Sequence, residues 1–380
     1  MTIINKDFVM ELANEVDEPC ISIYLSTQAA REGNFHKLEI KLKNHLSDAA
    51  KKLKKEWDFK ESEVEEFLKP AYDLVNDINF LHHHEIGLAL FISKNKFEYK
   101  RFNTDIKDQL SVSKHFYIIP LLNKLMVNNQ YYILALSKHD NKFYKANSDN
   151  ITRLSRYEVE ESLDDYIEYE GENTNIQHHS HKVSASNTVY HGRGIVMEEE
   201  KEELLKYLRQ IDSNLKNELK NKEAPLVLYC DEGLFHYYQK VNSYNHLFDK
   251  FINGNPESLK ENAIHEKTWD VVKEYIQEQK QEIIEEFKEL KGTSKTSLDI
   301  KMIVPDAFYS KVYSLLIDGN RELKGYFDNQ RNKVHMVKDG KDSYDLFNFA
   351  AILTLRNGGE VYVFEDMVPE GINIEAINRY

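Results

Sequence analysis

The sequence predicts a mixed α/β protein of three domains, and three observations lead there. A chain of 380 residues exceeds what one hydrophobic core supports. Runs that alternate apolar and polar residues follow runs with apolar residues every three or four positions along the whole length, so strands and amphipathic helices interleave. A composition 41% hydrophobic and 12% aromatic supplies material for the cores.

The first domain is expected over residues 1–127. Cys20 to Leu25 alternates as a strand, and Leu38, Leu42, Leu46, Ala49, Ala50 and Leu53 fall at helical spacing. A second helix carries Val64, Phe67, Leu68, Ala71, Leu74, Val75 and Ile78 on one face. Gly87 to Ile92 and Phe97 to Phe102 read as strands joined by the polar turn Ser93-Lys94-Asn95-Lys96.

The middle domain is expected over residues 128–267. Tyr131 to Leu136 and Phe143 to Ala146 form a hairpin around His139-Asp140-Asn141. Residues 157–172 then hold eight Asp or Glu, whereas 176–194 hold none and carry His178, His179, His181, Lys182, His191 and Arg193. A polar stretch this long with no apolar period reads as a functional loop. A helix from about Met197 to Asn221 follows, with Leu204, Leu205, Leu208, Ile211, Leu215 and Leu219 on one face, and the strand Pro225 to Cys230 closes the unit.

The third domain is expected over residues 268–380. Its helix runs from Thr268 to Leu290 and stops at Gly292. Strands follow at Val312 to Ile317, Tyr326-Phe327, Val334 to Val337 and Glu360 to Phe364, with the helix Tyr344 to Arg356 between the last two. This alternation predicts an α/β/α sandwich.

A formal charge of -14 describes an acidic surface, so any contact with a polyanion must be local. No run of about eighteen apolar residues occurs and the start lacks a basic, then apolar, leader, so the expected location is cytoplasmic without a membrane partner. Cys20 and Cys230 lie in apolar runs and read as core residues, and Tyr237-Tyr238 reads the same way. The clusters His178-His179-His181 and His82-His83-His84 lack the spaced frame and the Cys or carboxylate partners that zinc takes, so no metal and no cofactor are expected. The His82 run is assigned to the end of the Val64 to Ile78 helix, and Glu198-Glu199-Glu200 to the start of the next, as partners of the helix dipoles. Asp164-Asp165 offer carboxylates, but no Walker loop, nucleophile elbow or HExxH accompanies them.

His191-Gly192-Arg193-Gly194 sits between the polar segment and a long helix, where two glycines free the backbone around one permanent positive charge. Arg193 and Lys182 lie in a stretch free of carboxylates, and the four histidines add donors and stacking faces, a composition suited to RNA phosphates and bases. The bland reading is a solvated loop.

The order of hairpin, HGRG loop, long helix, apolar strand and sandwich resembles the archaeal and eukaryotic peptide-chain release factors. The stretches EPCISIYLST, GLALFISKN, YYILALSK, KVNSYNHL, GNPESL and RNGGEVYVFEDMVP resemble a bacterial archaeo-eukaryotic release factor-like branch of that superfamily, which also includes Pelota. The resemblance implies a ribonuclease-H-like middle domain and a C-terminal α/β/α sandwich of the kink-turn-binding ribosomal protein type. In the release factors the motif continues Gly-Gln, and that amide positions the water that cleaves the peptidyl ester. Here Ile195 and Val196 occupy those places, and an aliphatic side chain positions no water.

The resemblance therefore implies a ribosome-associated protein that binds the A site, contacting rRNA and tRNA, as a rescue or hibernation factor without peptide release. It implies partnership with a translational GTPase such as elongation factor Tu. His191, Gly192, Arg193, Gly194, Lys182, His178, His179 and His181 are the expected RNA-binding residues. No stop-codon motif such as Asn-Ile-Lys-Ser occurs in the first domain. Two other readings stay open: a peptidyl-tRNA hydrolase or nuclease using His191, and a protein-interaction module away from ribosomes.

Overall fold

The computed structural model describes every residue except 1–5, 16, 83–84, 103–104, 128–129, 138, 149, 159–192, 221–223, 339 and 366–372, and gives residues 31, 78, 126–127 and 193–200 as backbone. Two compact units emerge: one from residues 1–127 together with 278–380, the other from residues 128–277. The chain is mixed α/β, with four sheets among the described residues.

In the first unit, α1 (Lys6–Ala13) precedes β1 (Cys20–Ser26), the short α2 (Gln28–Arg31), α3 (Phe35–Glu56), α4 (Glu61–Val75) and α5 (Ile78–Leu81). Then come β2 (Gly87–Ile92), β3 (Phe97–Phe102), β4 (Gln109–Ser113) and α6 (Ile119–Val127). The sheet order β3-β2-β1-β4 places β1 inside, antiparallel to both neighbours. Alternation along β1 divides its side chains between two cores: Ile21, Ile23 and Leu25 pack under α3 and α4, while Cys20 and Tyr24 turn to the other face. Leu38, Leu42, Leu46, Ala49 and Leu53 of α3 are buried at helical spacing, and each leucine so buried contributes about 1.5–3 kcal/mol.

The second face of that sheet is covered by α1, α6 and the C-terminal segment, whose residues Ile303, Val304, Ala350 and Ile352 join Tyr24, Phe91 and Phe116 in a single core. Residues 278–380 contain β10 (Thr296–Ser297), β11 (Val312–Asp318), β12 (Lys324–Asp328), β13 (Lys333–Met336), β14 (Tyr344–Asp345), β15 (Glu360–Phe364) and β16 (Ile374–Asn378). β10, β16, β11 and β15 form one sheet, with β11 and β15 parallel, and β13, β12 and β14 form another. Leu315, Ile317 and Val363 face the shared core, and Leu316 and Phe364 face Ile283, Ile284 and Phe287, so helices cover the sheet on both sides as the sandwich requires.

The middle unit holds β5 (Tyr131–Leu136), β6 (Asn141–Ala146), β7 (Ile151–Arg153), α7 (Arg193–Leu219), β8 (Leu226–Cys230), α8 (Glu232–Val241) and β9 (Ile252–Asn253). The sheet order is β7-β6-β5-β8-β9, with β6 antiparallel to β5 and with β8 parallel to it. That is the strand arrangement of the ribonuclease-H-like fold. α9 (Glu261–Leu290) contributes Ile264, Val272 and Ile276 to the middle unit and Ile283, Ile284 and Phe287 to the other.

Several boundaries differ from the sequence reading. α9 begins at Glu261 instead of Thr268, because Ile264 continues the buried i, i+4 row through Thr268 and Val272. α7 begins at Arg193 instead of Met197, so Glu198–Glu200 fall in its second turn and do not open it. His82 does not end α4: that helix stops at Val75, and the His82 ring stacks on Phe35 at 3.9 Å. His83 and His84 lie outside the described residues. Helices over Ile300–Phe308 (α10), Leu346–Arg356 (α11) and Glu232–Val241 carry Ile303, Phe347 and Tyr238 into cores, and only α11 was expected. Cys20 and Cys230 are buried, and burial pushes the Cys230 thiol up to about 12 and that of Cys20 higher. No described helix is long and apolar enough to cross a membrane.

The N- and C-terminal segments are locked together by Asn348 in α11, which is 4% exposed. Its Oδ1 accepts from Ile118 N at 2.7 Å and its Nδ2 donates to Phe116 O at 2.9 Å. Replacing it with leucine leaves two buried backbone groups unpaired; we expect a loss of about 2–4 kcal/mol, read as a lower urea midpoint. Asp345 caps α11 with Oδ1, while its buried Oδ2 has no partner among the described residues, and burial pushes the carboxyl up to about 7. An unfolded Asp titrates near 4, so the folded state holds this proton more tightly, and the stability it gives is lost as pH rises through 7. Asp345→Asn should therefore gain about 1–3 kcal/mol relative to wild type between pH 5 and pH 8.

Candidate functional site

The segment that carries the HGRG motif leaves the middle sheet after β7 and returns at α7. Its departure is fixed by Glu158, the carboxylate of which receives Arg153 Nε at 3.0 Å, Arg153 Nη2 at 2.8 Å and the backbone N–H of Phe143 at 3.0 Å. Two parallel guanidinium bonds plus an amide make a charge-assisted anchor with one geometry. The bond to Glu158 holds the Arg153 guanidinium above its ordinary pKa.

The return is fixed by Glu218 near the far end of α7. Tyr132 donates to its Oε1 at 3.0 Å, Tyr157 donates to Oε2 at 2.9 Å, and Arg156 lies 3.7 Å from the same oxygen. One carboxylate thus ties the central strand β5, the 3-10 turn Ser155–Tyr157 and α7 together. Burial, and then Glu218, push the Tyr132 phenol well above its ordinary pKa, so it remains a donor. Tyr207, Leu208, Ile211, Leu215 and Leu219 seat α7 on the sheet, and Tyr207 Oη accepts from Asn141 Nδ2 at 3.1 Å.

α7 is 27 residues long, about 40 Å at 1.5 Å per residue. Its backbone opens on Arg193 and Gly194, so half of the HGRG motif is helical; one glycine in a first turn costs only about 1 kcal/mol against alanine. Ile195 and Val196 follow in helical backbone. His191, Gly192, Lys182, His178, His179 and His181 lie outside the described residues, as do Asp164 and Asp165.

A second polar feature of this unit escaped the sequence reading. A cleft of about 300 Å³ opens between α7 and the segment after α8, lined by Asp212, Lys216, Lys220, Ser243, Asn245 and His246. Asp212 is 8% exposed and spends one oxygen internally, accepting from Tyr238 Oη at 3.3 Å and from Ser243 N at 3.1 Å. Burial, and then Asp212, push the Tyr238 phenol well up. Lys216 and Lys220 are exposed and have no ion-pair partner among the described residues, so the cleft presents two ammonium groups and an imidazole on an acidic protein. Their i, i+4 spacing was visible; that KVNSYNHL folds back beside them was not.

Glu218→Ala removes the acceptor shared by Tyr132 and Tyr157 and should destabilise the middle unit by about 1–3 kcal/mol in thermal unfolding. Glu218→Gln, which keeps one acceptor oxygen, should recover most of that loss.

The model of bacterial archaeo-eukaryotic release factor family 7 matches residues 131–274, the stretch that contains the hairpin, the motif and α7. No curated protein sequence matches the chain. Among solved structures it is similar to the archaeal translation termination factor aRF1, at 14% identity over 99% of both chains with a TM-score of 0.26. It is similar to Dom34 of Saccharomyces cerevisiae, a translation termination-like factor, at 10% identity over 77% of this chain and 80% of that one, TM-score 0.37. Pelota of Archaeoglobus fulgidus matches at 10% identity over 77% and 79%, TM-score 0.31. Residues 131–274 are thus similar to the bacterial archaeo-eukaryotic release factors of family 7.

Proposed function

We propose that this protein associates with the ribosome and occupies its A site as a rescue or hibernation factor, without catalysing peptide release. The observation that carries the reading is the family match over residues 131–274, which encloses His191 to Gly194. Three features support it. The motif runs into α7 with Ile195 and Val196 where the release factors have Gly and Gln, so no side-chain amide is available there to place water. Arg193 belongs to a stretch from 176 to 194 that holds no carboxylate, a composition that favours phosphate. Lys216 and Lys220 add a second cationic locus in the same unit.

The RNA-binding residues of this proposal are Arg193, Gly194, His191, Gly192, Lys182 and the histidines at 178, 179 and 181, joined by Lys216 and Lys220. Archaeal Pelota has been described bound to the ribosome with ABCE1, and Dom34 as interacting with Hbs1. By analogy we propose rRNA and tRNA as the surfaces contacted, and a translational GTPase such as elongation factor Tu as the partner, in the cytoplasm. The domains that do this are 1–127, the middle domain, and the sandwich that α9 leads into.

Co-sedimentation with 70S ribosomes tests the binding. Between about 50 and 200 mM salt the bound fraction should fall steeply, as counterion release requires. Arg193→Glu should weaken binding about three- to tenfold and Lys216→Glu/Lys220→Glu by a similar factor, each flattening the salt dependence. Single-turnover assays on ribosome-bound peptidyl-tRNA should show no release above background. Release that disappears in His191→Ala would replace this proposal with the hydrolase reading.

A further inference from the structure

The first unit contains a cleft of about 760 Å³ that the middle-domain reading does not use. It lies between α4 and the turn that joins β2 to β3, and Glu18 closes one side. Its size falls within the range of sites that enclose a ligand or a peptide side chain. Phe59, Phe67 and Phe97 form its apolar walls, with Phe59 and Phe67 edge to face at 5.7 Å.

The polar groups are of one sign. Glu18, Glu63 and Glu66 line the cleft, and Glu18 and Glu66 are exposed without an ion-pair partner among the described residues. Glu63 uses one oxygen to accept from Lys60 N at 2.7 Å. Of the two lysines present, Lys96 is already paired with Glu11 and Glu98, which leaves Lys94 against three carboxylates. The surplus is negative.

Ser93 supplies an independent sign of an occupant. It lines the cleft, is 5% exposed, and its hydroxyl has no hydrogen-bond partner among the described residues. A buried hydroxyl left without a partner costs about 1–3 kcal/mol, so the Ser93 hydroxyl is free to bond a group that enters the cleft. Its surroundings are rigid: the Ser93 N–H donates to Lys96 O at 2.8 Å, closing the turn, and Asn95 holds Asp17.

We propose that this cleft binds an arginine-bearing basic peptide segment of a protein partner. A guanidinium is planar, stacks on aromatic rings and offers five donors in a fork that matches carboxylates. Three phenylalanines, three carboxylates and one orphan hydroxyl acceptor fit that group in shape, charge and hydrogen bonding. A phosphate backbone is excluded from the same place by the carboxylates.

Isothermal titration of the full chain with acetyl-Gly-Arg-Gly-Arg-Gly-amide tests this without ribosomes, so it stands or falls separately from A-site binding. Citrulline, uncharged and of nearly the same shape, should bind about tenfold more weakly in place of arginine. Glu66→Lys, on the exposed face of α4, should weaken the arginine peptide about tenfold as well. Ser93→Ala should weaken it about threefold with an unchanged or higher melting temperature, since it deletes an unpaired hydroxyl. Absence of heat, equal binding of the citrulline peptide, wild-type affinity in Glu66→Lys, or displacement by spermidine or a uridine 12-mer at equal concentration would each overturn the proposal.

Discussion

The first unit depends on one side-chain amide. Asn348 reaches from α11 to the irregular segment Phe116–Ile118 between β4 and α6 and satisfies a backbone carbonyl and a backbone N–H that burial has removed from water. Around it the same segment is held again, with Tyr117 N donating to Ser22 Oγ at 2.9 Å and Tyr24 Oη donating to Tyr117 O at 2.5 Å. The two Asn348 bonds join residues more than two hundred positions apart, and a hydrophobic core from Phe8 to Ala376 closes over them. Unpaired, those backbone groups would make the shared core unfavourable, so the polar link and the apolar burial specify the same arrangement.

What the sequence made legible follows from range. β2 and β3 occur where their alternation and the polar turn at Ser93 place them, because both signals are local. α10 was missed because Pro305 reads as a helix breaker, although Ile300, Ile303, Val304 and Ala307 fall at helical spacing. β16 was missed because five consecutive buried residues carry no alternation. Nothing local tells that Tyr24 and Ile303 share a core, since that contact is made across the whole middle unit. In the candidate site, the motif and the helix after it could be read, but the fold-back of Ser243 to His246 beside Lys216 could not.

Charge is distributed with more purpose than the total of -14 suggests. In the middle unit, Glu158 and Glu218 are consumed by arginine and tyrosine partners, which leaves Lys216 and Lys220 to face outward chemistry. In the first unit the pattern is inverted at the cleft beside Ser93, where lysine is consumed by Glu11 and Glu98 and carboxylates are left over. Each unit therefore offers a surface of different sign, and the net charge of the chain predicts neither.

The division of one unit between both ends of the chain shapes its birth on the ribosome. Residues 128–277 emerge complete, whereas the inner face of the β1 sheet has only α1 and α6 to cover it until residues 300–352 have left the exit tunnel. At roughly 5–20 residues per second, that interval lasts about ten to forty seconds, during which the core around Phe91 and Phe116 lacks its C-terminal half. A nascent chain in this condition is a natural client for chaperones, and its slowest step is set by translation itself.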